Sequence, residues 1–427
     1  MLRCTSEYGL SKMVTIQGWS AIVQNKMCNR IAVIGIGYVG LPLLEAFGTN
    51  EQNEVFGYDV SEERVSQVRS QLASLGKHYM VTNSLKDIAS ANVYIITVPT
   101  PTDQQNKPDL TCLLDACKAV ASVLSYSDIV IFESTVYPTM TEDVCIPLIE
   151  KSAGLCAGLD FYFGYSPERI NIGDPGHTIN NTIKIVAGCD VNTTERIASI
   201  YESIKGLRVH RAVSIKVAEA AKLMENTQRD ILIAFANEYS EFCDKIGISI
   251  EDVIATASSK WNFAQVYPGL VGGHCISVDP YYLLEKARNI EISLPLVMQA
   301  RMVNEGKASK VAQRLIDELW KRGVSESKQK VLILGFAYKK NCSDIRNTKV
   351  ACLTRELENR GCIVHIHDPL VDRSIVEKEY GIKMVDKSEI QSYRYQAILV
   401  AVHHDQFQDI PHYIGLPTIT IEIEQLL

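Results

Sequence analysis

The sequence predicts an α/β protein with two doubly wound, Rossmann-like domains joined by a long central helix. Three observations lead there. Short, wholly apolar runs alternate with amphipathic stretches, the pattern of parallel strands covered on both faces. The alternation occurs twice, once towards each end of the chain. Between the two lies a stretch without Gly or Pro, Ser214 to Lys245, rich in Ala, Leu, Glu and Lys. It reads as one helix of roughly 30 residues, the kind of element that joins domains or carries a dimer interface.

Taken in order, residues 1–28 lack the apolar stretch of a signal peptide and are read as an extension, with Met13 and Met27 as alternative starts. A dinucleotide-binding domain is expected over 29–212. Its apolar runs are Arg30–Ile34, Glu54–Asp59, Val93–Val98, Ile129–Phe132, Phe161–Phe163 and Ile183–Ala187. A helical, dimer-forming domain is expected over 213–310. A second α/β unit, 311–427, holds the runs Lys330–Gly335, Cys362–Asp368 and Ala397–Val402.

Bulk properties narrow the function. With 427 residues the chain has room for about two or three domains. A net charge of −7 argues against a general nucleic-acid binder, while leaving room for a local basic pocket. No apolar run reaches the roughly 18 to 20 residues that span a bilayer. The 12 cysteines are scattered, with no C-x-x-C spacing. The expectation is a reduced, cytoplasmic protein without a zinc site.

Gly35-Ile-Gly37-Tyr38-Val39-Gly40 stands where a strand ends and a helix begins. The first glycine allows the tight turn, the second brings backbone N–H groups to a pyrophosphate, and the third lets the helix pack on the strand. Asp59 closes the next strand, where a carboxylate binds ribose hydroxyls and repels a 2′-phosphate, so NAD is expected over NADP. Arg64 has two readings, a contact to the adenosine end or a solvated helix side chain. Thr100 and Thr135 follow apolar strands, where such sheets bind ligands, and are placed at the nicotinamide end.

The chemical site is expected around Cys275, in Pro268-Gly-Leu-Val-Gly272-Gly273-His-Cys275-Ile-Ser-Val-Asp279-Pro280. Gly272 and Gly273 permit a tight approach of the backbone. Cys275 and Asp279 are one helical turn apart, and a thiol at a helix N-terminus is acidified. In a dinucleotide-binding protein such a thiol suggests an aldehyde trapped covalently and oxidised again. Lys222 and Asn226, also one turn apart, suit a developing oxyanion. Glu168, in Tyr165-Ser-Pro-Glu168-Arg169, is a candidate base towards water. Lys339 and Arg346 lie in a cationic loop after a strand; they meet a phosphate or cofactor carboxamide, or stay solvated.

Together these runs resemble the UDP-glucose/GDP-mannose dehydrogenase family over nearly all of residues 29–427. The motifs are the glycine fingerprint, V-P-T-P-T-D, E-S-T-V-Y-P, S-P-E-R, A-E-A-A-K-L-M-E-N-T, G-G-H-C-I-S-V-D-P and G-F-A-Y-K-K-N-C-S-D-I-R-N-T-K. The last two, with E-N-T-Q-R-D, are most similar to the branch oxidising UDP-N-acetylhexosamines, above all UDP-N-acetylglucosamine, for capsule and O-antigen synthesis. The resemblance implies that Cys275 attacks the C6 aldehyde, that the thiohemiacetal is oxidised to a thioester with a second NAD⁺, and that Glu168 helps water hydrolyse it. It assigns Lys222 and Asn226 to the oxyanion, and Asp279 and Thr135 to water and proton. It assigns Lys339 to the UDP-sugar, with Arg169 and Gly272 beside the substrate, and Arg346 to the neighbourhood of the cofactor. A homodimer or higher homo-oligomer is expected. One departure stands out: some relatives carry an arginine upstream of the cysteine loop that reaches the neighbouring subunit's substrate, and here that stretch reads Ser258-Ser-Lys260-Trp-Asn-Phe263.

Two other functions compete. A two-electron β-hydroxyacid dehydrogenase shares the first domain and a helix lysine but needs neither Cys275 nor the last domain. An NAD-binding sensor needs neither the Cys275/Asp279 nor the Lys222/Asn226 pair. Within the first reading, UDP-glucose and UDP-N-acetylmannosamine are the alternative sugars to UDP-N-acetylglucosamine.

Overall fold

A computed structural model describes residues 29–427 except 77–78, 170–178, 180, 325–327, 409, 411–412 and 414–418. The expected extension, 1–28, lies outside the described residues. Among the described residues eight strands form the first sheet: β1 (Asn29–Ile34), β2 (Asn53–Tyr58), β3 (Met80–Thr82), β4 (Val93–Ile96), β5 (Ile129–Phe132), β6 (Tyr162–Tyr165), β7 (Lys184–Gly188) and β8 (Val209–Arg211). Their order is 3-2-1-4-5-6-7-8, parallel except between β6 and β7. The order reverses between β1 and β4, which pair from Ile31↔Val93 to Ile34↔Ile96. Ligands of such sheets bind at that reversal, beyond the strand C-termini. Side chains of the central strands alternate between two apolar cores, Ala32, Ile34 and Phe132 on one face and Ile31, Val33 and Ile131 on the other. Burial on both faces is why these strands read as unbroken apolar runs.

The central helix runs from Ile215 to Ile246. Ser214 caps it by accepting the N–H of Val217, and Gly247, at φ +74°, ends it in the left-handed conformation that glycine adopts without strain. A second long helix, Pro295–Lys321, packs along it. The boundary expected at 310 falls inside this helix, whose buried side chains continue through Val311, Ala312, Leu315 and Leu319 into the last domain. One helix thus contributes buried side chains to both the central part and the last domain.

Among the described residues the last domain holds four parallel strands, β9 (Lys330–Leu334), β10 (Ile363–His367), β11 (Ala397–Val400) and β12 (Ile419–Glu422), in the order 10-9-11-12. The loop after β9 reaches back to the cysteine loop. Asn347 donates to the Gly273 carbonyl at 3.2 Å, and a Cβ on Gly272 would stand 2.9 Å from the Asn347 oxygen.

Candidate active site

The glycine turn after β1 is shaped by contact. Gly35 has φ +91°, and a Cβ on Gly40 would lie 2.0 Å from the Gly35 carbonyl oxygen. The helix Gly40–Phe47 can approach the strand only because Gly40 has no side chain. Among the described residues nothing lies within 4 Å of where a Gly37 side chain would stand, so none of them covers the backbone there. That geometry fits a pyrophosphate on backbone N–H groups. Asp59 is held in place by the N–H groups of Ile36, at 3.1 Å, and Ser61, at 3.0 Å. Arg64 donates to the Ile36 carbonyl at 2.8 Å, so its guanidinium braces the glycine turn from the next helix. Val39 precedes the helix, and Tyr38 reaches out from the turn with the Arg346 guanidinium 4.3 Å from its ring centroid. Arg346 also grips Asp344 through two nitrogens, at 2.9 and 2.5 Å. Thr100 and Thr135 are half-buried after β4 and β5.

The cysteine loop is fixed from the central helix. Asn237 pairs with both backbone groups of Gly269, each at 3.0 Å, and with Asn304 of the second long helix. Arg301, fully buried, donates to Asp230 at 2.5 Å, and Asn304 donates to the same carboxylate at 2.8 Å. Gly273 turns the chain at φ +80° against the Tyr338 ring.

Cys275 does not lie within a helix, as its spacing to Asp279 suggested. The helix begins at Asp279 and runs to Asn289. Cys275 sits in the preceding turn, its carbonyl accepting the Asp279 N–H at 2.9 Å. The thiol is not acidified either. Burial pushes it up to about 11, with Lys222 and Arg346 opposing and Asp279 and Glu168 adding to the rise. His274 Nδ1 lies 3.3 Å from the sulfur. Burial, then Arg346, Lys222 and Lys339, pushes that imidazole down to about 4, so it is neutral and a weak base.

Lys222 and Asn226 face this loop from the central helix, both buried. Asn226 Nδ2 donates to Asp279 Oδ2 at 2.5 Å. Burial raises the Asp279 carboxyl to about 6, against Lys222 and the Asn226 hydrogen bond. Lys222 Nζ donates to the Glu168 carbonyl at 2.6 Å. Burial works against its charge, but Glu168, Cys275, Asp279 and Glu225 outweigh that and hold the ammonium above the ordinary lysine value. Arg169 turns away to a bidentate pair with Glu225, at 2.7 and 3.2 Å. Lys339 is half-buried, 5.5 Å from the Tyr338 ring centroid.

Cys275, Asp279, Lys222, Asn226 and Glu168 therefore converge from three separate segments. The sequence reading missed what lies beneath them. Lys184 pairs with Glu133 in the core at 2.7 Å and donates to the carbonyls of Ser166 and Pro167, tying down the loop that carries Glu168. It also missed His274, although adjacency to Cys275 was a signal, and Glu219, three residues before Lys222.

Comparison with known proteins agrees with this layout. Models of one family match in succession: the NAD binding domain of the UDP-glucose/GDP-mannose dehydrogenases over residues 29–205, their central domain over 216–306 and their UDP binding domain over 332–418. The UDP-N-acetyl-D-glucosamine 6-dehydrogenase of Salmonella typhi is 43% identical over 391 residues, covering 89% of this chain and 91% of that one. Protein CapL of Staphylococcus aureus is 41% identical, covering 91% and 93%. Among solved structures, the UDP-D-ManNAc dehydrogenase of Pyrococcus horikoshii superposes with a TM-score of 0.79 at 28% identity, over 93% of this chain and 99% of that one. With matching models along most of its length and relatives above 40% identity, the chain belongs to the UDP-glucose/GDP-mannose dehydrogenase family and is an NAD-dependent UDP-sugar dehydrogenase.

Proposed function

We propose that the chain oxidises the C6 hydroxyl of UDP-N-acetylglucosamine to the uronic acid through a covalent adduct on Cys275, in the cytoplasm, as a precursor for surface polysaccharide. The family reaction is a four-electron, NAD-dependent oxidation of a UDP-sugar to its uronic acid. The observation that supports the cysteine route is the convergence of one thiol, one ammonium, one amide and two carboxyl residues, with Lys222, Asn226 and Asp279 buried and Cys275 and Glu168 half-buried. The Salmonella typhi relative named for UDP-N-acetyl-D-glucosamine supports the choice of sugar.

Bound at the glycine turn, with Asp59 and Arg64 at its adenosine end and Thr100, Thr135 and Arg346 towards the nicotinamide, NAD⁺ supplies the hydride acceptor for both oxidations. Lys222 and Asn226 hold the oxyanion that forms at C6. Cys275 adds its sulfur to the C6 aldehyde and gives up its proton, giving a thiohemiacetal; loss of hydride then leaves a thioester. Asp279, with a carboxyl near 6, takes and returns a proton close to neutral pH. Glu168 orients the water that cleaves the thioester and frees the thiol. Lys339, Arg169 and Gly272 border the substrate.

We also propose a homodimer. Among the described residues, Met224, Phe235, Phe242 and Ile246 leave an apolar stripe exposed along the central helix, next to Met298 and Met302 of its neighbour. A second copy covering that stripe would remove it from water. Among the described residues no helix is long and apolar enough to cross a membrane.

The test is a panel of UDP-glucose, UDP-GlcNAc, UDP-GalNAc and UDP-ManNAc with NAD⁺, counting NADH per sugar. Two NADH from UDP-GlcNAc, with the highest kcat/KM, is expected. One NADH per sugar would favour the two-electron alternative and none a sensor, and preference for UDP-ManNAc or UDP-glucose would move the specificity.

A further inference from the structure

Thr139 ends the loop that carries Thr135 and starts the helical stretch running to Ala153. Its φ is +80°, a left-handed conformation that β-branched residues rarely adopt. Two side chains from other segments hold it. Glu219 of the central helix accepts the Thr139 N–H at 2.6 Å and the Thr141 N–H at 3.0 Å. Lys286, from the helix that starts at Asp279, donates to the Thr139 hydroxyl at 2.7 Å. Glu219 is wholly buried and lies on the helix face that carries Lys222 and Asn226. Tyr137, two residues past Thr135, packs with Leu223, Val278 and Tyr282, the sequence neighbours of Lys222 and Asp279. The loop thus packs on side chains adjoining the catalytic cluster at one end and is clamped at the other.

We propose that Glu219 is a positioning residue: it caps the helical stretch beginning at Thr139–Thr141 and so fixes the Thr135 loop against the Cys275–Asp279 site. The first N–H groups of a helix have no partner inside it, and a nearby Ser, Asp or Asn normally accepts from them. Here no local side chain does. The cap comes instead from the helix that bears Lys222 and Asn226, so the loop is referenced to that helix. Lys286 ties the same turn to the segment that begins at Asp279. Neither contact serves the chemistry directly, and both set the distance between the Thr135 loop and the reacting atoms.

The cap also responds to protons. Burial pushes the Glu219 carboxyl up to about 7, against the hydrogen bonds from Thr141 and Thr139 and with Glu142 adding to the rise. Facing it are Glu142 and Cys145 on the stretch it caps, with Lys216 3.9 Å from Glu142, Tyr137 on the loop, Tyr165 on β6, and Lys286 across Thr139. A protonated carboxyl is the weaker acceptor for two N–H groups, so the clamp loosens below neutral pH.

The inference rests on the oxidation proposed above, and the test separates the two. Wild type, Glu219→Ala and Glu219→Gln are compared by hydrogen exchange of the 139–145 peptide and by steady-state kinetics. In Glu219→Ala the peptide should exchange about tenfold faster, the size of losing one helix cap, and kcat should fall by about the same factor, with KM for NAD⁺ and UDP-sugar changed less than about threefold. Glu219→Gln, which keeps the shape and one acceptor, should recover part of the loss. Its acidic activity limb should move from near pH 7 to near pH 6, where Asp279 takes over. If Glu219→Ala melts at assay temperature, the Gln variant decides. A Gln variant with wild-type kcat and an unmoved limb, or unchanged exchange in either variant, overturns the proposal. A wild type that makes no NADH from any UDP-sugar sinks the oxidation instead, and the exchange data still decide whether Glu219 holds the turn.

Discussion

Iodoacetamide should alkylate Cys275 slowly at neutral pH, and the rate should keep climbing where ordinary thiols have levelled off. Alkylation follows the thiolate fraction. With the thiol near 11, about one molecule in a thousand is ionised at pH 8, against about one in four for an unperturbed thiol. A more basic thiolate is also more nucleophilic, by about tenfold over that interval. The net expectation is a rate about twentyfold below that of a free thiol at pH 8, before any steric hindrance, rising about tenfold per pH unit towards pH 10. Lys222→Met removes the ammonium that opposes burial most. A neighbouring opposite charge moves a pKa by about one to three units, so, with the gain in nucleophilicity set against the loss of thiolate, alkylation at pH 8 should slow again by at least about threefold. The assay is peptide-level mass spectrometry, with exposed Cys112 and Cys156 as references in the same molecule. A wild-type rate that plateaus below pH 8 would mean an acidified thiol and refute the argument. An unchanged pH–rate curve in Lys222→Met would separate the ammonium from the sulfur.

Three further outcomes follow from contacts described above. The Asp279 carboxyl is raised in the folded state, to about 6 from 3.8, so the stability it contributes is fully present below pH 4 and lost as pH rises through 6. Asp279→Asn should therefore unfold later in urea at pH 8, by about 1–3 kcal/mol, lose that gain at pH 4, and lose most activity; an equal gain at both pH values would contradict it. Gly40→Ala should abolish stabilisation by NAD⁺ in thermal melts, since the new Cβ would stand 2.0 Å from the Gly35 oxygen; a normal NAD⁺ affinity would show that the helix can retreat. NADP⁺ should give a kcat/KM at least about tenfold below NAD⁺, and Asp59→Asn should narrow the gap; parity in the wild type would remove Asp59 from the ribose.

The central helix was legible because thirty residues without a breaker leave few alternatives, and Ser214 and Gly247 punctuate its ends. The inner strands were legible for the same kind of reason: Ile129-Val-Ile-Phe132 is buried on both faces. The edge strands β3, β8 and β12 were not singled out. They are three or four residues long and partly exposed, so no apolar run marks them. At the site, spacing identified pairs one helical turn apart but not their electrostatics. A cysteine four residues before an aspartate reads as helical, and only the fold reveals that the helix starts at the aspartate and that burial dominates the thiol. Glu133 and Lys184 stand 51 residues apart and meet only because β5 and β7 flank β6. No periodicity in the sequence encodes such a pair.

The contact between Tyr38 and Arg346 has a kinetic consequence. Tyr38 belongs to the cofactor turn and Arg346 to the loop after β9, so this stack bridges the two end domains. On the proposed mechanism a sugar held through its carbon to Cys275 cannot leave between the two oxidations, yet the spent dinucleotide must, and a fresh one must enter. A guanidinium over a half-exposed phenol holds with about 0.5–1 kcal/mol. That is close to thermal energy, so the bridge breaks and reforms readily. The molecule then behaves as a revolving door with one occupant chained inside, and the stack at residue 346 is weak enough to let the dinucleotides pass.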